Sequence, residues 1–197
     1  MARARGAPNF TFAKNYRSRA SSHQFGRNQQ STRSFDLSQE NSRLYGWCLA
    51  NQLERRIGRR LAGVVVLDAS ALIALVSSQD AHHNWAMEMF RDTASFDLQM
   101  SSLTQAEVMV HPARAGQLKK FQKVLSSLGL EITPIESNDS FRMAELRAKT
   151  SLRMPDIAVL NQAMKVNGSV ATTDQKLALE ARAVGCGVFC PTQKSSS

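Results

Sequence analysis

The residues in this chain best suited to chemistry are four carboxylates: Asp68, Glu107, Asp156 and Asp174. Asp68 directly follows the apolar run Val64-Val65-Val66-Leu67, and an acid there needs a partner if it is buried. Several carboxylates held close together repel one another, so they either take up protons or bind cations. Oxygen ligands of this hardness select Mg2+ or Mn2+ over zinc. A Mg2+ ion held by few carboxylates keeps several waters and accepts phosphate oxygens. One such ion can activate a water, and a second can stabilise a leaving oxygen. The reaction class this points to is phosphodiester hydrolysis. Each acid also has a purely structural reading. Asp174 suits a helix N-cap, Asp156 a first-turn acid favoured by the helix dipole, and Glu107 an exposed helix position.

The elements around these acids decide whether they meet. Val64–Leu67 is a continuous, β-branched run suited to a central parallel strand buried on both faces. Helices are predicted over 70–76 and 81–90, and a strand over 96–100. Thr104 opens a helix that Pro112 ends or bends. The spacing of Leu118, Phe121, Val124, Leu125 and Leu128 predicts a helix over 117–128, with Gly129 closing it. A strand follows over 130–135, then a helix over 137–149 with Phe141, Ala144, Leu146 and Ala148 toward the core. Pro155 sits at the first position of a helix reaching Val166. Strand 169–172, helix 175–184 and strand 187–189 complete the pattern. Alternating strands and helices imply an α/β sandwich around a parallel sheet. In such sheets ligands bind at the carboxyl ends of the strands. Asp68 and Asp174 each follow a strand, and Glu107 lies about one turn into the helix after another, so these three converge. Asp156 begins a helix, and helix starts often face that same edge, so a fourth carboxylate can join them.

Charge divides the chain into two parts. Residues 1–62 hold twelve Arg/Lys and three acids, while residues 63–197 hold thirteen of each, so the whole net charge of +9 sits on the first part. Residues 1–40 are rich in Ser, Arg, Asn and Gln and are expected to be disordered. Residues 42–61 suit a short basic helix. The expected organisation is a basic extension over 1–62, a nuclease domain over 63–192 and a disordered tail over 193–197. The extension reads, in order of preference, as an inert or over-extended start, a nucleic-acid arm, or an organelle transit peptide. Three cysteines, Cys48, Cys186 and Cys190, fit a reducing cytosol better than a disulfide framework, and their spacing is not a usual zinc-ligand spacing. No apolar run reaches the roughly 20 residues that span a bilayer. The expected location is cytoplasmic.

Four stretches in order resemble the PIN domain, and within it the VapC-type toxins of prokaryotic toxin–antitoxin pairs. They are Val65-Val66-Leu67-Asp68-Ala69-Ser70-Ala71-Leu72, Thr104-Gln105-Ala106-Glu107-Val108, Met154-Pro155-Asp156-Ile157-Ala158 and Ala171-Thr172-Thr173-Asp174. Pro112-Ala113-Arg114-Ala115-Gly116 also looks like the VapC branch. The resemblance covers residues 64–192 and implies a three-layer α/β/α sandwich with a central, mainly parallel sheet. It implies a Mg2+-dependent (or Mn2+-dependent) endoribonuclease, the toxin of a type II pair, hydrolysing RNA with a metal-activated water. Asp68, Glu107, Asp156 and Asp174 then form the metal site, with Ser70 and Thr172 as supporting hydroxyls. Lys176 and Leu177 stand where some relatives carry a further acid, so one firmly held metal ion is expected. The implied partners are an RNA substrate, a cognate antitoxin and a second copy of the chain. Trp85, Met87, Met89 and Phe90 suit either core packing or the surface for such a partner. Two alternatives remain: a catalytically silent PIN-fold nucleic-acid-binding protein, and a DNA- or flap-directed nuclease of the same wider fold.

Overall fold

The computed structural model describes residues 63–192, and the readings made for residues 1–62 and 193–197 lie outside them. Five strands form one sheet in the order β3-β2-β1-β4-β5, with every neighbouring pair parallel. They are β1 (Val64–Leu67), β2 (Asp97–Ser101), β3 (Glu131–Thr133), β4 (Ser169–Ala171) and β5 (Gly187–Phe189). Parallel strands need crossover connections, and helices supply them. The helices are α1 (Ala69–Val76), α2 (His83–Asp92), α3 (Ser102–Arg114), α4 (Leu118–Ser127), α5 (Asp139–Lys149), α6 (Met154–Lys165) and α7 (Gln175–Ala183).

The central strand explains why the sheet is covered on both faces. Successive side chains of a strand point to opposite sides. Val65 and Leu67 enter a core with residues of α1, α2, α3 and α4, including Leu72, Phe90, Val108 and Phe121. Val66 enters a second core with Met143, Ile157, Leu160 and Leu177 from α5, α6 and α7. The result is three layers, helices on either side of a parallel sheet. Met89 and Phe90 are buried in the first core, with Trp85 and Met87 packed partly buried against it. Core packing therefore accounts for much of that apolar group. Close approach also fixes one glycine: a Cβ on Gly168 would meet the Val64 carbonyl oxygen at 2.7 Å.

Element boundaries differ from the sequence reading by a few residues, and one difference has a clear physical reason. β3 ends at Thr133 rather than Ile135. It is an edge strand followed by Pro134, which has no N–H to offer a ladder. Pro112, read as ending or bending its helix, does not end it: α3 runs through Pro112 to Arg114. Gly129, with φ of +67°, follows α4 in the left-handed conformation that suits the residue after a helix end.

α5 departs from expectation in which face it buries. Asp139, Met143 and Leu146 are buried, whereas Ala144 and Ala148 are exposed and Phe141 is 78% exposed. The Asp139 carboxylate sets that rotation. It accepts hydrogen bonds from the Glu136 backbone N–H at 2.8 Å, Asn161 Nδ2 at 3.1 Å and Lys165 Nζ at 3.1 Å. The last two donors belong to α6, against which α5 packs. Burial alone would raise the Asp139 pKa, but these three donors and the Lys165 charge outweigh it and hold the carboxyl below its ordinary range.

Two outcomes follow for Asp139. Asp139→Ala strands the Asn161 amide and Lys165, and chemical denaturation is expected to show a loss of about 2 kcal/mol. Because the folded-state pKa is depressed, the stabilising contribution is present above the unfolded-state carboxylate pKa. It disappears as pH falls through the lower folded value. The stability gap between wild type and Asp139→Asn should therefore close on acidification, and a gap independent of pH would contradict this assignment.

Candidate active site

The sheet order places a topological switch point between β1 and β4, because the chain builds outward from β1 in one direction and then returns to its other side. Open α/β sheets bind ligands in the crevice at such a point. Asp68 follows β1 and the segment Thr172-Thr173-Asp174 follows β4, so both flank it. The ladder carries on just past the strands: the Asp68 N–H donates to Ala171 O at 3.0 Å, and the Thr172 N–H to Phe189 O at 3.1 Å.

Asp68 is only 6% exposed, yet its carboxylate has a full set of donors. Oδ1 accepts the Ala69 N–H at 2.7 Å. Oδ2 accepts the Ser70 N–H at 3.3 Å, the Ser70 hydroxyl, and the Thr172 hydroxyl at 2.8 Å. The two backbone donors make Asp68 the N-cap of α1. The hydroxyls then link onward. Ser70 Oγ accepts the Thr173 N–H and Thr172 Oγ1 accepts the Asp174 N–H, both at 2.9 Å. Ser70 and Thr172 thus tie the end of β1 to the start of α7, across roughly a hundred residues of sequence.

Asp156 and Asp174 also begin helices. Asp174 Oδ1 accepts the Lys176 N–H at 2.7 Å and the Leu177 N–H at 3.3 Å. Asp156 Oδ2 accepts the Arg153 N–H at 2.9 Å. The capping roles weighed from the sequence are therefore present. Capping engages one oxygen of each carboxylate and leaves Asp174 Oδ2 and Asp156 Oδ1 uncommitted among the described residues. A cap and a ligand can be the same residue. Glu107 stands on α3, whose start is fixed by Ser101: its hydroxyl accepts the Thr104 N–H at 3.1 Å and contacts Thr104 Oγ1 at 2.8 Å.

Glu107, Asp156 and Asp174 line one cavity of about 330 Å³, together with Ser151, Leu152, Arg153, Pro155, Gln175 and Lys176. Asp68 lies outside that lining, but its charge reaches two of the acids. Burial, and then the charges of Asp68 and Asp156, push the Glu107 carboxyl above its ordinary range, with Arg153 pulling it part of the way back. Burial also raises Asp156. The Arg153 N–H opposes that shift, and the charges of Asp68 and Asp174 add to it. All four acids thus share one electrostatic neighbourhood. Among the described residues, no three His, Cys, Asp or Glu side chains are drawn together closely enough to hold a metal ion.

Sequence reasoning did not single out Arg153, and it read Lys176 only as a place where some relatives carry an acid. The signal was present, since each lies within three residues of a candidate acid. Among the described residues, neither cysteine lines the cavity. Cys186 and Cys190 are free and partly buried, burial raises both thiols, and Cys190 Sγ accepts Gln175 Nε2 at 3.3 Å.

A parallel five-stranded sheet with acids gathered at its switch point is the arrangement of a known class. Residues 65–182 match the PIN domain, and the chain belongs to that family. Several solved structures share the fold. A chain of FitAcB from Neisseria gonorrhoeae has a TM-score of 0.52 at 17% identity, covering 64% of this chain and 96% of its own. A chain of VapBC2 from Rickettsia felis, bound to a DNA fragment from their promoter, has 0.51 at 15%, covering 66% and 99%. VapC20 from Mycobacterium tuberculosis, a sarcin-ricin loop cleaving toxin, has 0.50 at 13%, covering 62% and 95%. At these identities the likeness is one of fold. A search of curated proteins finds no match.

The raised carboxyls carry a testable consequence. A raised folded-state pKa means that the native state holds more protons than the unfolded state, so these groups reduce stability as pH rises through that window. Glu107→Gln is therefore expected to raise the melting temperature at pH 8 without divalent metal. The gain should vanish below the ordinary carboxylate range. A variant less stable than wild type at pH 8 would refute the mutual repulsion.

Proposed function

We propose that this protein is a Mg2+-dependent endoribonuclease, the toxin of a type II toxin–antitoxin pair. The observation that carries the reading is the convergence of four carboxylates at the switch point, two of them with pKa values raised by burial and by their neighbours. The donor set fits a hard divalent cation. It consists of carboxylate oxygens whose repulsion a cation relieves, and no thiol or imidazole lines the cavity. Mg2+ commonly keeps several waters and is held through one or two carboxylates, so a closed protein cage is not required. Asp68, Glu107, Asp156 and Asp174 would hold the ion, Mn2+ being an acceptable substitute. When bound, the ion lowers the pKa of a water and takes charge from phosphoryl oxygens.

The chain's own residues prepare the site. Ser70 and Thr172 donate to Asp68 Oδ2 and so fix the orientation of the buried carboxylate. Their second contacts, to the Thr173 and Asp174 N–H groups, fix Asp174 relative to Asp68. Glu107 makes no side-chain hydrogen bond among the described residues and is the acid freest to adjust as a ligand arrives. RNA is preferred over DNA, and an antitoxin is the proposed partner, because fold neighbours include VapBC2 and the sarcin-ricin loop cleaving VapC20. A second copy of the chain and a domain bounded at residues 63–192 belong to the same proposal.

The test is cleavage of a structured RNA by the full chain with Mg2+, run beside single-stranded and duplex DNA. Asp68→Asn is expected to lower the RNA rate by about 100-fold or more while leaving the protein folded, as is removal of the metal by EDTA. Equal rates for wild type and Asp68→Asn would reject the assignment, and preferential cleavage of DNA would redirect it.

A further inference from the structure

The acid cluster does not account for the two cations in its cavity. Arg153 and Lys176 are exposed, and both line the cavity with Glu107, Asp156 and Asp174. Their locations oppose helix electrostatics. Lys176 is in the first turn of α7, where the helix dipole favours an anion. Arg153 is at the N-cap of α6, where an acceptor side chain is favoured. Neither forms an ion pair with an acid of the cavity, since the ion pairs among the described residues are those Lys165 makes with Glu136 and Asp139, although the Arg153 charge does lower Glu107 and Asp156 from a distance.

Their backbones, in contrast, are pinned. The Arg153 N–H is bound by Asp156 Oδ2 and the Lys176 N–H by Asp174 Oδ1. Each cation thus springs from a point fixed by one of the site's own acids, while its charged end stays uncommitted. A polyanion entering this cavity meets several carboxylates and is repelled. The described residues carry twelve Arg/Lys against thirteen Asp/Glu, so they offer no overall positive field to offset that repulsion. At the cavity itself, Arg153 and Lys176 are the cations among the lining residues, and they supply the attraction there.

We propose that Arg153 and Lys176 are substrate-positioning residues that take the non-bridging oxygens of backbone phosphates at the acid centre. The identity of the polyanion as RNA rests on the nuclease reading above. Arginine's planar fork suits two oxygens of one phosphate, and lysine supplies a point charge that tolerates varied geometry. Contacts of this kind fix register along the strand and carry no base information. The pair therefore sets where the strand lies, and leaves sequence preference to other surfaces.

The experiment measures binding of a fluorescein-labelled single-stranded oligouridylate to the full chain in EDTA across a salt series. Removing two phosphate contacts reduces the slope of log K against log salt by roughly 1.4, at about 0.7 per contact on a single strand. Arg153→Gln with Lys176→Gln is expected to show that reduction and about tenfold weaker binding at low salt. Each single variant should show about half the change in slope. Arg153→Lys with Lys176→Arg should keep the wild-type slope. In Mg2+, the double Gln variant should raise KM more than it lowers kcat. An unchanged slope and KM in that variant, or no RNA binding by wild type, overturns the proposal. Wild-type protein that binds but does not cleave would defeat the nuclease reading alone, and the slope would still decide the role of the cations.

Discussion

A carboxylate buried at the end of the central strand is the constraint around which this fold is arranged. Asp68 is 6% exposed, and an ionised acid there is tolerable only with donors in place. The Ala69 and Ser70 N–H groups come from the start of α1, so the strand must turn directly into a helix. The Thr172 hydroxyl comes from the end of β4, so that strand must lie beside β1 in register. Thr172 then accepts from the Asp174 N–H, which fixes the start of α7. One buried charge thereby specifies a helix start, a strand pairing and the position of a second acid.

The same economy appears at the other acids. Asp156 and Asp174 cap their helices with one oxygen each and keep the other uncommitted. Local folding and site chemistry use the same residues without conflict. Capping opposes part of the rise in Asp156, but burial and the neighbouring Asp68 and Asp174 still leave it above its ordinary range. Stability is lost where these charges meet. The Asp139 cluster, at the C-terminal half of α6, has the opposite design, with an acid fully answered by Asn161, Lys165 and the Glu136 N–H.

What could be read from the sequence follows from how local each signal is. The Val64–Leu67 run announced a strand buried on both faces, and Asp68 at its end was legible because a charge after such a run needs a reason. Asp174 was read from its place just after β4, with a helix N-cap as the equal alternative. The spacing from Leu118 to Leu128 gave α4 to within a residue or so. The rotation of α5 was not legible, because Asp139 is oriented by Asn161 and Lys165, more than twenty residues on. Apolar content pointed to Phe141, and the buried polar cluster turned it outward. The pairing of Ser70 and Thr172 through Asp68 joins positions 102 residues apart, and no local pattern encodes it. Arg153 and Lys176 lie within three residues of candidate acids, but only the fold places both in the lining of one cavity.

The central claim is that Asp68, Glu107, Asp156 and Asp174 form one divalent-cation site. The most direct measurement is Mn2+ titration of the isotopically labelled full chain followed by NMR. Paramagnetic broadening is expected first at the amides of these four residues and of Thr172, saturating at about one ion per chain, Mg2+ and Mn2+ both being held by carboxylate oxygens. Broadening that centres instead on the Glu136–Asp139 region, or spreads over the surface without saturating, would contradict the account.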